Sequence, residues 1–361
     1  MTTRTSEPKR SKGQLIARAL SGAWRDMPPP LTLSESELRL ITPALLRSGS
    51  GALVWWKASR TNSELRNALG EFLIAYQVQI LRAAIHELNV HKVFTTLRRN
   101  GLDAMLVKGW AIARCYPKPC LRPYGDLDIC VREEQYEQAA GVLKQSATRN
   151  VWVDLHRGFA TLDAESAESL FERAMAAPVR GFLIKVPAAE DHLRMLCLHM
   201  LRHGAWRPIW LCDVALVLET RKRDFDWGRF YGRDPKQRNW LRCVIGLAYE
   251  LLQIRVDEEL RVEYSPAPRW LVRAVERRWS RWFEAEHRDQ ALRSLLAYRF
   301  EPVSALEDFY FRFDPLRATV EVNGSFNRMP RLPYQLAALA RRLPELPGRI
   351  TNLLQDTEID E

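Results

Sequence analysis

The sequence predicts an α+β protein: a small mixed β-sheet core flanked by N-terminal helices and a C-terminal helical domain. Three observations carry that expectation. Helical periodicity runs from Leu31 to about Asn100. Between residues 101 and 187 it gives way to short apolar or alternating runs punctuated by turn residues. From Ala188 the helical period returns and persists almost to the end. The expected organisation is a basic tail over 1–30, a helical region over 31–100, an α/β core over 101–187, a helical domain over 188–354 and an acidic tail over 355–361.

The first 30 residues are basic and polar and end in Pro28-Pro29-Pro30. Arg18 and Ser21 interrupt the stretch from Gln14 to Trp24, so it lacks the continuous apolar core of a secretory signal. A flexible tail or loosely docked helix is expected. Further on, Ser34-Glu35-Ser36-Glu37 has the form of a capping box ahead of Leu38, Leu40 and Ile41. Ser63 is placed to cap a long helix whose stripe is Leu65, Leu69, Phe72, Tyr76 and Ile80. A short helix over Lys92 to Arg99 should stop at Asn100-Gly101.

The core begins with a strand at Ala104-Met105-Leu106-Val107, then Lys108-Gly109 and a helix from Trp110 to Tyr116. A second strand runs through 124–131, and Glu133 to Gln145 reads as an amphipathic helix. Val151 to His156 alternates as a third strand, and Gly181 to Pro187 is a fourth. Beyond Ala188, helices are expected over 188–203, 209–220, 227–231, 238–253 and 268–283.

The 361 residues are 47% hydrophobic and 27% charged, ordinary globular values. No apolar run is long enough to cross a bilayer. The six cysteines have no C-x-x-C spacing, which suits reduced thiols in a cytoplasmic protein. The net charge of +10 fits a polyanionic ligand. Because the basic residues are spread along the chain, a nucleic-acid partner is not the favoured reading.

Asp126-Leu127-Asp128 is the most informative triplet. On a strand the two carboxylates share one face, while Leu127, Ile129 and Val131 take the other. Paired anions of this kind suit a hard divalent cation. Asp154 shares its strand face with Trp152 and His156, and pairing of 151–156 beside 124–131 would bring three carboxylates together. The plain alternative sets Asp154 against Arg157. Lys108-Gly109 lies between a strand and a helix, where a close backbone approach and a cation would suit a phosphate; a simple turn with a solvated lysine is the alternative. Arg122 is placed to bind either a phosphate oxygen or a carboxylate.

His192, His199 and His203 fall near one helical face, a spacing that would permit a zinc site, but no H-E-x-x-H is present and core histidines are preferred. Asp213 sits on an apolar helix and is expected to pair with one of these histidines or with an arginine. The twelve tryptophans are read as core or interface residues rather than as a base-stacking platform.

The run Leu106-Val107-Lys108-Gly109, then Tyr116-Pro117, Leu121-Arg122, Gly125-Asp126-Leu127-Asp128-Ile129-Cys130-Val131 and Val153-Asp154-Leu155-His156, resembles the uncharacterised nucleotidyltransferase family of the DNA polymerase beta-like superfamily. The later segments Asp191-His192-Leu193, Leu198-His199-Met200, Trp210 to Ala215 and Asp226-Trp227 resemble its helical half. The resemblance covers roughly residues 65 to 255. It implies that Asp126, Asp128 and Asp154 hold two Mg²⁺ ions and act in catalysis, with Lys108, Gly109 and Arg122 handling the nucleotide. It also implies transfer of a nucleoside monophosphate from a nucleoside triphosphate, ATP among them, to a hydroxyl on a small molecule, peptide or protein, with release of pyrophosphate. Two departures stand out: Lys108-Gly109-Trp110 replaces the superfamily's Gly-Ser turn, and the interval from Gly109 to Asp126 is long. The alternative is an inactive nucleotide-sensing or partner-binding module of the same fold.

Overall fold

The computed structural model describes residues 10–60, 65, 68–145, 148–158, 167–280 and 313–342. The N-terminal helices are α1 (Lys12–Leu20), α2 (Glu35–Arg47), α3 (Gly51–Ser59) and α4 (Gly70–Arg99). The capping box at α2 forms as expected: Glu37 N–H donates to Ser34 Oγ, and the Glu37 carboxylate accepts from Ser34 N–H.

Of the flexible tail or loosely docked helix expected at the N-terminus, residues 12–20 form a helix, α1, and it is firmly docked. Leu15, Ile16, Ala19 and Leu20 are buried, as are Ala23 and Trp24 just beyond it. The helix packs on α13 (Arg269–Ser280) so closely that a Cβ on Gly13 would strike the backbone of Glu276. The polar residues that suggested a tail occupy its outer side. Residues 1–9, 355–361 and Ser63 fall outside the described set.

α4 is also different from expectation. It is one helix of 30 residues rather than two, and it buries Phe72, Val90, Val93, Phe94 and Leu97. Ile80, expected in the buried stripe, is exposed. The helix ends where the sequence signals it, with Asn100 as cap and Gly101 at positive φ.

The sheet has five strands: β1 (Ala104–Val107), β2 (Leu127–Val131), β3 (Val153–Arg157), β4 (Met175–Val179) and β5 (Phe182–Val186). Their order is β3-β2-β1-β5-β4; β1 is antiparallel to β2 and parallel to β5, and β2 is parallel to β3. Strand β4 was not anticipated, because Met175-Ala176-Ala177-Pro178 lacks the β-branched residues that mark strands. It forms as an edge strand, where a proline is tolerated, by a tight hairpin whose central residues Arg180 and Gly181 both have positive φ. The interposed helices are α5 (Gly109–Ala113), α6 (Tyr136–Gln145) and α7 (Ala167–Glu172).

The helical half contains α8 (Ala189–Arg202), α9 (Pro208–Thr220), α10 (Trp227–Tyr231), α11 (Pro235–Leu252), α12 (Glu258–Glu263) and α13, followed by α14 (Pro315–Glu321) and α15 (Leu332–Arg342). Each face of the sheet enters a different core. Leu106, Leu127, Ile129 and Val131 pack with the C-terminal half of α4 and with α6. Met105, Val107 and Cys130 join the larger core of α1, α8, α9 and α11. The side chain at 128 alternates with the first set, so it belongs to the face turned toward the helical half.

Candidate active site on the sheet

Asp128 on β2 and Asp154 on β3 occupy one register position of a parallel pair, with Leu127 opposite Val153 and Ile129 opposite Leu155. Residues paired across parallel strands share a face, so the two carboxylates lie side by side. Asp126 lies one residue before β2, anchored by the bond from Leu127 N–H to the carbonyl of Trp152. The predicted pairing of the two strands is therefore present.

His156 joins this group. Its Nε2 lies 3.2 Å from Asp128 Oδ1 and 3.2 Å from Asp154 Oδ2. Single ligand atoms of Asp128, Asp154 and His156 all fall within 4.8 Å of one another, the one such cluster among the described residues. Two hard carboxylate oxygens beside an imidazole suit a divalent cation such as Mg²⁺ or Mn²⁺. Asp126 stands outside this tightest set. The alternation Trp152, Asp154, His156 places the histidine on the right face, but spacing alone assigns it no role.

The electrostatics separate the two aspartates of the triplet. Burial raises the Asp126 carboxyl above its ordinary range, and the Asp128 charge pushes it further. Burial acts the same way on Asp128, yet the hydrogen bond from His156 and the Lys108 ammonium outweigh it and hold that carboxyl below its ordinary range. Asp128 is thus the better anion of the pair.

Lys108 forms an ion pair with Asp128 Oδ1. The alternative of a turn with a solvated lysine does not describe this ion-paired side chain, and the positive φ falls on Lys108 itself, with φ 52° and ψ −134°, rather than on Gly109. A type II′ turn takes this conformation at its first central position, normally with glycine. Gly109 instead begins α5, and a Cβ there would make only ordinary contacts with Tyr124 and the carbonyl of Asp126.

Arg122, one of the residues expected at the nucleotide, is committed elsewhere. Its Nε and Nη2 donate to Asp213 Oδ2 at 3.1 and 2.8 Å, and its Nη1 donates to the carbonyl of Pro123 at 2.9 Å. Of the two partners considered for it, the carboxylate is the one present. Tyr116 Oη donates to Asp213 Oδ1 at 2.8 Å. Burial, and then the Asp213 charge, raise the Tyr116 phenol far above its ordinary value. This buried cluster ties α9 to the segment that leads into Asp126.

Asp213 therefore pairs with an arginine and not with a histidine. His199 and His203 meet tilted at 4.4 Å between ring centroids, and His199 meets Trp210 edge-on at 4.9 Å. Burial first, then His203 and Lys108, push His199 well below its ordinary range. His192 is pushed down to about 3 by burial, Arg114 and Arg122. His192 is buried while His199 and His203 are half-buried, and among the described residues the three form no metal cluster.

The family described as uncharacterised nucleotidyltransferase matches residues 51–252, more than half of the chain. The chain belongs to this family. The match spans the sheet with Asp126, Asp128 and Asp154 and continues through α8, α9 and α11. A comparison with curated proteins finds no match. Among the described residues no helix is long and apolar enough to cross a membrane.

Proposed function

We propose that the protein is a Mg²⁺-dependent nucleotidyltransferase that moves a nucleoside monophosphate from a nucleoside triphosphate to a hydroxyl-bearing acceptor and releases pyrophosphate. The observation that supports this reading is the register match of Asp128 with Asp154, with the His156 ring within 3.2 Å of both carboxylates. Asp126, Asp128 and Asp154 would hold the metal, which supplies charge neutralisation at the triphosphate and activation of the attacking oxygen. His156 steadies Asp128 and Asp154 through Nε2.

Asp154 has the most exposed carboxylate of the Asp128–Asp154 pair, at 51% against 9%. It is the group best placed to accept the hydroxyl proton. As that O–H bond breaks, the acceptor oxygen bonds to the α-phosphorus and the bond to the pyrophosphate oxygen breaks. Lys108 leaves Asp128 and turns its ammonium to the phosphates, with the Gly109 backbone beside it. The acceptor lies between the sheet face and helices α8 and α9. Transfer of label from each α-labelled triphosphate in a host extract tests this. Asp126→Asn, Asp128→Asn and Asp154→Asn should each abolish a labelled product, and labelling that survives all three would sink the reading.

One observation favours the second reading, an inactive nucleotide-sensing module. Lys108 and His156 already compensate Asp128 within the chain. A module of that kind would bind triphosphate without releasing pyrophosphate, and the three asparagine variants would leave its affinity unchanged.

A further inference from the structure

Helix α4 has a second apolar face. Ile74, Val78, Leu81, Ile85 and Leu88 are 61, 39, 67, 56 and 50% exposed. Their spacings of four, three, four and three residues are those of a coiled-coil seam, with Val78 and Ile85 at a and Ile74, Leu81 and Leu88 at d. At about 100° per residue, this seam is centred on the side of the helix opposite Phe72, Val90, Phe94 and Leu97, which α4 buries in its own fold. His86, whose ring meets Tyr124 at 4.5 Å two residues before Asp126, belongs to the inner side. The exposed seam therefore points away from the site, not into it.

We infer that α4 pairs antiparallel with α4 of a second copy of this chain. The seam is self-complementary, as a two-fold interface requires. When Val78 lies against Leu88 of the second copy, Leu81 lies against Ile85, and the layers repeat in reverse across the axis. Charge selects the direction. Glu71 and Lys92 occupy the a positions just beyond the two ends of the seam, and both are exposed. Antiparallel pairing sets Glu71 near Lys92 of the second copy at both ends, whereas parallel pairing sets Glu71 against Glu71 and Lys92 against Lys92.

The edges of the seam permit close approach. Ala84 is small and exposed, and Gln77 and Asn89 are uncharged. Arg82 makes the single like-charge encounter, at an exposed edge where water and salt screen it. Because the inner and outer faces are opposed, the bodies of the two copies diverge from the helix pair. The five seam residues leave on the order of 500 Å² of side chain exposed, toward the upper end of the largest apolar patch on an ordinary monomer, where such patches are often functional. The edge residues extend that area toward the roughly 800 Å² per partner of an ordinary stable interface.

Sedimentation equilibrium on the full chain tests the inference. The wild type should show twice the 41.9 kDa of one chain. Leu81→Glu/Ile85→Glu should give a monomer with unchanged circular dichroism, since both side chains are exposed, and a thermal midpoint that no longer rises with protein concentration. Glu71→Lys or Lys92→Glu alone should weaken the dimer roughly five-fold, and the two together should restore it. A monomeric wild type at about 0.1 mM, or a dimer that survives Leu81→Glu/Ile85→Glu, overturns the interface. Charge reversals that add instead of compensating overturn the antiparallel arrangement.

Discussion

Replacing Asp213 with alanine should destabilise the protein more than any change at the carboxylate cluster. The Asp213 side chain is fully buried and that of Arg122 is 7% exposed, so neither end of the pair has water to fall back on. Removing the carboxylate strands a buried guanidinium, which costs about 3–5 kcal/mol. Tyr116 loses the acceptor for its hydroxyl in the same step, and an orphaned buried donor alone costs about 1–3 kcal/mol. The two penalties overlap, so a total near 4 kcal/mol is expected. Urea unfolding followed by tryptophan fluorescence measures it as a fall in midpoint at constant slope. The double variant Arg122→Met/Asp213→Leu removes both charges and replaces them with apolar volume. It should recover most of the loss, leaving about 1–2 kcal/mol. A loss below about 1 kcal/mol for Asp213→Ala, or a double variant as unstable as the sum of the singles, refutes the account of a desolvated pair.

Three further outcomes follow from the geometry. Lys108→Met frees Asp128 from its internal cation, so Mn²⁺ binding without nucleotide, read by electron paramagnetic resonance, should tighten roughly ten-fold while triphosphate binding weakens; unchanged Mn²⁺ affinity contradicts the ion pair. Trp152 is 74% exposed on the face of Asp154, and Trp152→Ala should raise KM for the triphosphate roughly ten-fold with kcat and unfolding unchanged if the indole stacks on the base. Lys57 is buried with its ammonium on the carbonyls of Arg18 and Ser21, and burial pulls it from 10.5 to about 8. The folded state therefore binds fewer protons than the unfolded state between those values, and this lysine's penalty, on the order of 3 kcal/mol, is present in full below pH 8 and relieved as pH rises toward 10.5. The difference in unfolding free energy between wild type and Lys57→Met should shift in the wild type's favour from pH 7.5 to 9.5, and a flat difference rejects the lowered value.

The parts of the fold legible in the sequence are those set by local pattern. Alternation about Leu127, Ile129 and Val131 put Asp128 on the face it shares with Asp154, and the capping residues of α2 and the stop at Asn100-Gly101 are short-range chemistry. The pairing of β2 with β3 was conditional, because register depends on contacts between strands. What stayed hidden depends on partners distant in sequence. Arg122 finds Asp213 in another helix, and Gly13 is needed because α13 lies against it. Polar residues on the outer side of α1 masked a buried inner side. His156 was visible on the correct face, but only the three-dimensional distances put its ring between two carboxylates.

The backbone at Lys108 has a consequence for how this sequence can change. Holding a residue with a Cβ at φ 52° costs about 1–3 kcal/mol, and glycine would adopt the same conformation without that cost. Selection for thermal tolerance alone would therefore drift toward glycine at position 108 and discard the ammonium that answers Asp128. A lysine that persists there under such selection would mark a chain whose activity is still required, and its replacement would be an early sign of decay into a scaffold.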